Sequence, residues 1–399
     1  MKYIDDIFVF GNPIDAGAML QISNCKKEAD YAALMADHHK GYSMPIGGVT
    51  AHNSRISPQS VGFDIACGNK AVRLNAQYDD IKNDMTLIAD TIFSSISFGV
   101  GRVNSERLDH AVFKNDAWKD VGFLRKNQSL MPLAREQLGT IGSGNHFINI
   151  FKDETDRLWV GVHFGSRGLG HKIATEFITL SGANPNGNMD EAPCLLDANS
   201  AVGEDYIQAM NMAGMYAYAG RDWVCQKVAS ILGATIVEEI HNHHNFAWKE
   251  EHFGSEYWVV RKGATPAFPG QKGFIGGSMG DNSVIIEGVL SEHSASALYS
   301  TVHGAGRVMS RTQAAGKKRW VQGKPVRVSD GLVNMAAVRE RLVSQGIHLR
   351  GAGADEAPEV YKRLPEVLAH QGDTIRVLHE LTPLIVCMAG ADEHDPYKD

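Results

Sequence analysis

A cysteine lies three residues after an aspartate in the stretch SVGFDIACGN, which runs from Ser60 to Asn69. Asp64 and Cys67 can be two metal ligands offered from one tight turn, since carboxylate, thiolate and neutral imidazole groups together suit Mn, Fe, Co or Zn. They can also be structural, with Asp64 capping the turn and Cys67 packing as a small apolar residue. The positions of the histidines and glycines bear on this choice.

Five short runs combine glycine with histidine, asparagine or serine. Glycine lets the backbone approach a ligand closely, and such loops can present N–H groups to phosphate oxygens. A single histidine beside a glycine is more often an ordinary loop residue, so each run alone is a weak signal. Together they indicate converging loops, and divalent metals beside a phosphate-binding cradle indicate phosphoryl or nucleotidyl transfer. The runs are GTIGSGNHFIN (139–149), HFGSRGLGH (163–171), HNHHN (241–245), GGSMGDNS (276–283) and HGAGR (303–307).

The elements that must position these loops are mixed in type. Short strands are predicted at DIFVFG, KAVRL and RLWVGVHFG. Helices are predicted at 108–121, 204–232, 333–345 and 357–371. Because strands and helices do not alternate regularly, and no repeat or Pro/Ser linker divides the chain, we predict one large α+β domain over residues 1–399. Mixed sheets and surrounding helices would carry a metal and nucleotide site built from the Gly/His loops.

Composition limits the class of protein. Of the 399 residues, 43% are hydrophobic and 21% are charged, an ordinary balance for a globular protein with a sizeable core. The five cysteines are odd in number, widely spread and never in a CxxC pair, which favours a reducing compartment. No stretch reaches the roughly 20 apolar residues of a membrane span, and acidic residues precede the first apolar run. We expect a cytoplasmic protein with no membrane partner.

The charge of the chain is unevenly distributed. A net charge of −7 argues against a nucleic-acid partner, but residues 301–328 contain Lys and Arg side chains and no acidic residue. Such a basic strip can bind phosphates, or it can be a solvated turn.

The order of the motifs resembles that of the RtcB-type RNA ligases. VGFDIxCG, GSGNHF, HxGSRGLGH, HHN, RKGAT (261–265), GSMG and HGAGR follow one another here as in that family, from about Met35 to the C-terminus. The segment MADHHKG is also similar to the family's MPDxHxG loop. The resemblance implies a divergent member of this family: a GTP- and manganese-dependent enzyme that joins RNA 3′-phosphate or 2′,3′-cyclic phosphate ends to 5′-hydroxyl ends, in RNA repair or tRNA splicing.

The resemblance also implies roles for single residues. His303 would be the nucleophile that accepts GMP, followed by an RNA-3′-pp-5′-G intermediate. The expected ligands of two Mn²⁺ ions, with Cys67 bridging, are Asp64, Cys67, His146, His163 and His244. The expected GTP contacts are Asn145, His146, Phe147, Ile148, Asn149, His244, Asn245, Gly276, Gly277, Ser278, Met279, Ser283, His303, Gly304, Ala305 and Gly306. The side chains expected to contact RNA or nucleotide phosphates are Arg167, Arg307 and Arg311.

The assignment within HNHHN rests on the resemblance. The alternation of a strand would place His241 and His243 on one face and His244 on the other. The resemblance selects His244, because the family's ligand directly precedes the asparagine, here Asn245.

Two positions depart from the family pattern. Asn149 stands where a glutamate commonly contacts the guanine base, and Ala389 stands where a lysine does so. These changes weaken the expected selectivity for GTP. The alternative function is a metal-dependent phosphoesterase, or an RNA-end binding protein, that keeps the Mn site but does not ligate. The intact His303 favours the ligase. The resemblance adds an archease-like activator as a candidate partner and predicts a monomer.

Overall fold

The computed structural model of the chain describes residues 1–321, 324–391 and 393, without the side chains of 318–321, 324, 325 and 327. Four cationic side chains of the predicted basic strip therefore lie outside the described part of the structure. They belong to Lys318, Arg319, Lys324 and Arg327.

A mixed eight-stranded sheet carries much of the candidate site. Seven strands pair antiparallel in succession, and the eighth, His348–Ala352, pairs in parallel with Ile375–Gly390. Side chains on a strand alternate between faces, so Ile148 and Ile150 pack into one hydrophobic cluster while Phe147 and Phe151 pack into another. In spatial order the seven strands are Ile236–His243, Gly68–Gln77, Arg157–Phe164, Phe147–Lys152, Ile375–Gly390, Ser283–Gly288 and Lys272–Ile275.

A six-stranded sheet brings the MADHHKG and RKGAT segments to the same region. Its pairings are antiparallel except for one, between Ile7–Val9 and Tyr31–His39. In spatial order its strands are Lys2–Ile4, Ile7–Val9, Tyr31–His39, Ile46–His52, Ser255–Lys262 and Asn245–His252. Three two-stranded pairs are Ala264–Pro266 with Ser300–Val302, Lys318–Val321 with Lys324–Arg327, and Arg55–Ile56 with Leu196–Asp197.

Helices surround the sheets, as the irregular order of the predicted strands and helices indicated for an α+β fold. The α-helices are Ala16–Lys26, Pro58–Val61, Tyr78–Ile81, Met85–Ser95, Ala117–Asp120, Gly122–Lys126, Leu130–Gln137, Arg167–Leu180, Ala201–Ile231, Glu292–Ser296, Arg311–Ala315, Met335–Ser344 and Leu364–Gln371. The 3₁₀ helices are Ala111–Lys114, Ala354–Glu356, Pro358–Val360 and Gly372–Thr374. Among the described residues, no helix combines the length and the apolar character that crossing a membrane requires.

The helix Ala201–Ile231 packs against the sheet behind the candidate site. Its start is capped by Ser200, whose hydroxyl accepts a hydrogen bond from the Gly203 N–H at 3.1 Å. Residues spaced by three or four positions along one face are buried. That apolar face includes one cation, Arg221, which is fully buried.

Two predicted helices are wrong in extent. The segment 108–121 is divided into Ala111–Lys114 and Ala117–Asp120, because the Asn115 side chain accepts a hydrogen bond from the Ala117 N–H at 2.8 Å and starts a new turn. Within 357–371 only Leu364–Gln371 is α-helical. Pro358 and Pro365 each lie in the first turn of a separate helix, Pro358–Val360 and Leu364–Gln371, where the missing backbone N–H is tolerated.

The predicted α+β class is confirmed, and so are the helices predicted at 204–232 and 333–345, within one or two residues at most ends. The strands predicted at DIFVFG, KAVRL and RLWVGVHFG are also present. The expectation of one domain over residues 1–399 stays a prediction.

Candidate metal and nucleotide site

A cavity of about 660 Å³ receives residues from the Asp64–Cys67 turn and from all five Gly/His runs. Its volume is that of a typical small-molecule site and suffices for a nucleotide. The convergence of loops expected from the sequence is therefore present. The five runs contribute Asn145, His146, Phe147 and Asn149, then His163, then His244 and Asn245, then Gly276, Gly277, Ser278 and Met279, and finally His303, Gly304, Ala305, Gly306 and Arg307.

The segment from Asp64 to Cys67 forms the predicted tight turn. The Cys67 N–H donates to the Asp64 carbonyl at 3.0 Å, and Ala66 between them has a left-handed φ of 60°. The Ala66 N–H donates to the Asn245 carbonyl at 2.7 Å, and the His244 N–H donates to the Cys67 carbonyl at 2.8 Å. These bonds attach the turn to the HNHHN run, so ligands from two distant segments meet.

The five predicted metal ligands form one connected cluster. The Asp64 Oδ2 atom lies 3.1 Å from His146 Nε2. The Cys67 sulfur lies 3.6 Å from His146 Nε2 and 3.2 Å from His163 Nε2, which is itself 3.2 Å from His244 Nε2. These donors make two groups, each with its atoms within 4.8 Å of one another, and Cys67 belongs to both. A thiolate that bridges two ions needs this arrangement.

Two of the histidines, His163 and His244, are held as neutral donors. His146 presents Nε2 to the cluster because its Nδ1 contacts the Ile141 carbonyl at 2.9 Å. Burial, together with the neighbouring imidazoles, holds the pKa of His163 and of His244 well below 6.5. Their Nε2 atoms can therefore offer lone pairs at neutral pH, and the Nδ1 of His244 is buried with no hydrogen-bond partner among the described residues.

The two acidic ligands titrate in opposite directions. Burial and the nearby Asp64 carboxylate raise the pKa of the Cys67 thiol well above 9.0. Burial also disfavours ionised Asp64, but the hydrogen bond and charge of His146 outweigh it and lower the pKa of that carboxyl to about 2. Mixed oxygen, nitrogen and sulfur donors around a shared thiol fit a pair of divalent transition-metal ions, which would displace the thiol proton.

His303 is oriented by a carboxylate that the sequence reasoning did not name. Its Nδ1 lies 2.7 Å from Asp37 Oδ2, and the same oxygen accepts the backbone N–H groups of His303 and Gly304 at 3.1 and 3.3 Å. Burial opposes the charge of Asp37, but His303 and Lys362 outweigh it, so the pKa of Asp37 is lowered. The motif MADHHKG, which contains Asp37, was the signal that could have found it.

With Nδ1 bound to Asp37, Nε2 is the nitrogen of His303 that remains for a ligand. It makes no hydrogen bond within the described part of the chain, and the His303 ring centre lies 4.7 Å from that of His244. His303 thus stands beside the candidate metal cluster with one nitrogen available to attack a ligand.

At two positions of the motifs the backbone passes so close to an acidic residue that only glycine fits. Gly306 has a φ of 77°, and a Cβ there would lie 2.0 Å from the Asp37 carbonyl. A Cβ on Gly165 would lie 2.2 Å from the Asp64 carboxylate. Both loops therefore need glycine to pass beside acidic residues of the site.

Arg307 of HGAGR and Arg311, four residues later, already have acidic partners. Arg307 lies 3.5 Å from a Glu356 carboxylate oxygen, and it also donates to the Asp355 backbone carbonyl at 2.8 Å. Arg311 pairs with Glu356 and lies 3.3 Å from an Asp355 carboxylate oxygen. Glu356 and Tyr361 line the cavity, and sequence reasoning missed both.

Arg167 does not line the cavity. It starts the helix Arg167–Leu180, and its Nε donates to the Thr140 hydroxyl at 3.4 Å. Its guanidinium lies against Gly142, where a Cβ would be 2.2 Å away. It is thus placed behind the GSGNHF loop.

Two of the predicted nucleotide contacts also lie off the cavity wall. The Ile148 side chain faces the core, on the opposite side of its strand from Phe147. The Ser283 hydroxyl accepts a hydrogen bond from the Gly277 N–H at 3.0 Å and holds the GGSMG loop from behind. Ser278, which does line the cavity, donates to Asp281 at 3.0 Å.

The two positions that depart from the family pattern differ in placement. Asn149 lines the cavity, and its Oδ1 is buried with no hydrogen-bond partner among the described residues. Ala389 packs into the core with Cys387, while Val386 and Met388 of the same strand line the cavity.

Comparison with known proteins defines the class. The model of the family described as "tRNA-splicing ligase RtcB" matches residues 19–389. The chain is 34% identical to "RNA-splicing ligase RtcB" of Escherichia coli (strain K12), with 95% of this chain and 96% of that protein covered. It is 31% identical to "tRNA-splicing ligase RtcB" of Pyrobaculum aerophilum, with 86% and 84% covered. It is also 31% identical to "RNA-splicing ligase RtcB homolog 1" of Entamoeba histolytica, with 88% and 79% covered.

These matches cover nearly all of the chain and include every motif that forms the cavity. The protein is a ligase of RNA. It belongs to the RtcB family.

Proposed function

We propose that the chain is a GTP- and Mn²⁺-dependent ligase that joins RNA 3′-phosphate or 2′,3′-cyclic phosphate ends to 5′-hydroxyl ends, in RNA repair or tRNA splicing. The names of the relatives, which are splicing ligases of RNA and tRNA, support this role. The observation that carries the proposal is the orientation of His303: Asp37 holds Nδ1 at 2.7 Å, and Nε2 is left beside the metal-binding cluster.

The reaction has three displacements at phosphorus. His303 Nε2 attacks the α-phosphorus of GTP, a P–N bond forms, and pyrophosphate leaves. An oxygen of the RNA 3′-phosphate attacks the same phosphorus and breaks the P–N bond, which gives RNA-3′-pp-5′-G and restores His303. The 5′-hydroxyl then attacks the RNA 3′-phosphorus, and GMP leaves. Water opens cyclic phosphate ends before the second step.

The residues of the cavity serve these steps in different ways. Asp37 holds the imidazole proton on Nδ1, so that the lone pair of the neutral ring lies on Nε2. The backbone N–H groups of Gly277 and Gly304 already donate to Ser283 and Asp37, so within HGAGR those of Ala305 and Gly306 would bind phosphate oxygens. The side chains proposed to hold two Mn²⁺ ions, which when bound neutralise phosphate charge, are Asp64, Cys67, His146, His163 and His244.

The arginines would grip the RNA mainly through its phosphates, so little sequence preference is expected. For Arg307 and Arg311 this means exchanging their present acidic neighbours for phosphate. A cytoplasmic location, a monomeric state and an archease-like activator stay predictions.

The test is covalent labelling. The protein is incubated with α-labelled GTP and Mn²⁺ and run on a denaturing gel, beside His303→Ala and the matched control His370→Ala, which removes an exposed histidine. Acid-labile label in the wild type and in His370→Ala, but not in His303→Ala, is expected. Label from γ-labelled GTP would contradict the proposed bond.

The same experiment separates the alternative function. A folded, Mn-loaded protein that takes no label from GTP or ATP would not be an autonomous ligase, and if an archease-like activator does not restore the label it would not be a ligase of this type. Opening of 2′,3′-cyclic phosphate ends to RNA monophosphate ends by that protein would favour the metal-dependent phosphoesterase, and tight RNA-end binding without turnover would favour the binding protein. The observation that favours this alternative is at Asn149, which replaces the glutamate of the family pattern: its amide oxygen has no hydrogen-bond partner among the described residues.

A further inference from the structure

Arg221 lies in the middle of the helix Ala201–Ile231 and is fully buried. Within the described residues no carboxylate forms a hydrogen bond with its guanidinium; the acceptors are two backbone carbonyls and two imidazoles. A buried cation without a carboxylate partner is strongly unfavourable unless all its N–H groups are satisfied. A leucine or methionine at this position would avoid the free-energy cost of burying a cation, so packing of the helix alone does not explain why the residue is an arginine.

The four hydrogen-bond acceptors of Arg221 explain why an arginine is buried there. Arg221 Nη1 donates to the Ala66 carbonyl at 3.0 Å and to the Phe164 carbonyl at 2.5 Å. Its Nη2 lies 2.8 Å from His243 Nδ1, and its Nε donates to His241 Nε2 at 2.7 Å. One rigid planar group thus bonds to four points on three separate segments of the chain.

Each of those segments carries a candidate metal ligand. Ala66 directly precedes Cys67, Phe164 directly follows His163, and His243 directly precedes His244. Cys67, His163 and His244 are all the members of one of the two metal-binding groups. No other described side chain makes hydrogen bonds to the neighbours of all three.

The bond to Ala66 also supports a strained conformation. Ala66 has a φ of 60°, a region that residues other than glycine rarely adopt. This conformation turns Cys67 toward the cavity. Arg221 holds the carbonyl of Ala66 from one side while Asn245 accepts its N–H from the other.

We propose that Arg221 is a positioning residue for the Cys67–His163–His244 metal group. By fixing the three segments with one guanidinium, it keeps the sulfur and the two Nε2 atoms at coordinating separation before an ion binds. The inference rests on the metal site of the proposed function. Lysine cannot replace Arg221 in this role, because a single ammonium group lacks the planar fork that reaches four acceptors.

The test compares Arg221→Lys with Arg261→Lys. Arg261 is also fully buried, but it pairs with Glu250 at 2.7 and 2.9 Å, away from the cavity. Both variants keep the charge and lose a similar hydrogen-bonded fork. The readouts are the Mn²⁺ dissociation constant, the thiolate-to-cobalt charge-transfer band of the Co²⁺ form, and the melting temperature with chelator.

For Arg221→Lys we expect Mn²⁺ binding weakened by about 10- to 100-fold, as for other groups that orient metal ligands, and a diminished thiolate band. Arg261→Lys should lower the melting temperature but leave Mn²⁺ affinity and the Co²⁺ band at wild-type values. Wild-type affinity and spectrum in Arg221→Lys, or equal losses in the two variants, would overturn the proposal. A wild-type protein that binds neither ion would instead overturn the metal site itself.

If Arg221→Lys does not fold, His243→Phe tests the same contact from the other side. It keeps a ring at this position and removes the acceptor of Nη2, and His243 belongs to neither metal-binding group. Mn²⁺ binding weakened severalfold, with a diminished thiolate band, would support the proposal. Unchanged binding would refute it.

Discussion

Two parts of the cavity wall differ in how fully their polar groups are paired. Around Cys67 and His303, the Cys67 sulfur and the His303 Nδ1 atom have defined neighbours between 2.7 and 3.6 Å away, which leaves His303 Nε2 in a fixed orientation. Around Asn149 the wall is apolar, with Val386 and Met388, and the amide oxygen has no hydrogen-bond partner among the described residues. The first part is organised before a ligand binds, while the second leaves its polar contact for the ligand to complete.

The difference follows from what each part must do. Metal ligands and a nucleophile need fixed geometry, because an error of a fraction of an ångström costs catalysis. A base contact supplies only about 1–3 kcal/mol of discrimination and can change while the chemistry is kept. Substitutions should therefore have large effects at Cys67 and Asp37 and a smaller, qualitatively different effect at Asn149.

The largest effect is expected at the ligand shared by both metal groups. Cys67→Ser should reduce Mn²⁺ binding at both positions, because a serine hydroxyl stays protonated at neutral pH, and should lower the guanylylation rate by about 10³-fold or more. His146→Ala removes a member of only one group and should leave one Mn²⁺ bound. Both are checked by counting ions per chain after dialysis.

Cys194→Ser is the matched control, since Cys194 is half-buried and outside the cavity wall. Equal ion counts for Cys67→Ser and His146→Ala would show that Cys67 is not shared.

Asp37→Asn comes next in size. The amide retains an oxygen for the two backbone N–H groups but no longer favours a proton on His303 Nδ1. A comparable change in serine proteases lowers turnover by about 10⁴-fold, so we expect guanylylation to fall by about 10²–10⁴-fold with the Mn²⁺ affinity unchanged. Single-turnover labelling with a parallel metal titration measures both. A matching fall in metal affinity would mean that Asp37 acts on the cluster rather than on His303.

Of the ligands Asp64, Cys67, His163 and His244, Cys67 should give metal binding its pH dependence. Burial raises the pKa of the Cys67 thiol, so the metal-free protein carries a proton on sulfur at neutral pH, and binding must release it. The lowered pKa values of His163 and His244 and the value of about 2 for Asp64 mean that these groups have already lost their protons. Mn²⁺ affinity should therefore rise by about tenfold per pH unit between about pH 6.5 and 8.

Competition with a chelator at each pH measures this slope. Affinity independent of pH would show that the thiol is already ionised, and a slope near two would show that a histidine still competes for a proton.

The sequence predicts the metal ligands and the nucleophile better than it predicts the residues that orient them. Asp64, Cys67 and the Gly/His runs are recognisable because their chemistry is carried by short motifs. Asp37 and Arg221 were missed as supports because their partners are remote: Asp37 acts on His303, 266 positions away, and Arg221 reaches Ala66 across 155 positions. Only the tertiary fold brings such pairs together, and no local sequence pattern indicates that the two residues are in contact.

Ion pairs between remote residues and the ends of helices are likewise hard to predict from sequence. The phosphate contacts implied for Arg307 and Arg311 stay a prediction, but no local pattern indicated that Glu356 pairs with both in this structure. The helix predicted at 108–121 has the right apolar spacing, yet side-chain caps inside it divide the segment.

The smallest effect, and the one that most sharpens the comparison, is expected at Asn149. A carboxylamide has one donor and one acceptor, so by rotating it can pair with guanine O6 and N1–H or with adenine N1 and N6–H. A carboxylate only accepts, and guanine offers it two neighbouring N–H groups. If the proposed function is right, the wild type should take label from GTP and ATP within about tenfold of each other, and Asn149→Glu should raise the GTP preference by about tenfold.

Asn145→Asp is the matched control, because it adds the same charge to another amide of the cavity wall. A strict GTP preference in the wild type, or an equal shift in both variants, would show that the unpaired amide does not read the base. A shift confined to Asn149→Glu, with the rate for GTP nearly unchanged, would show that this part of the wall sets selectivity without supporting the chemistry.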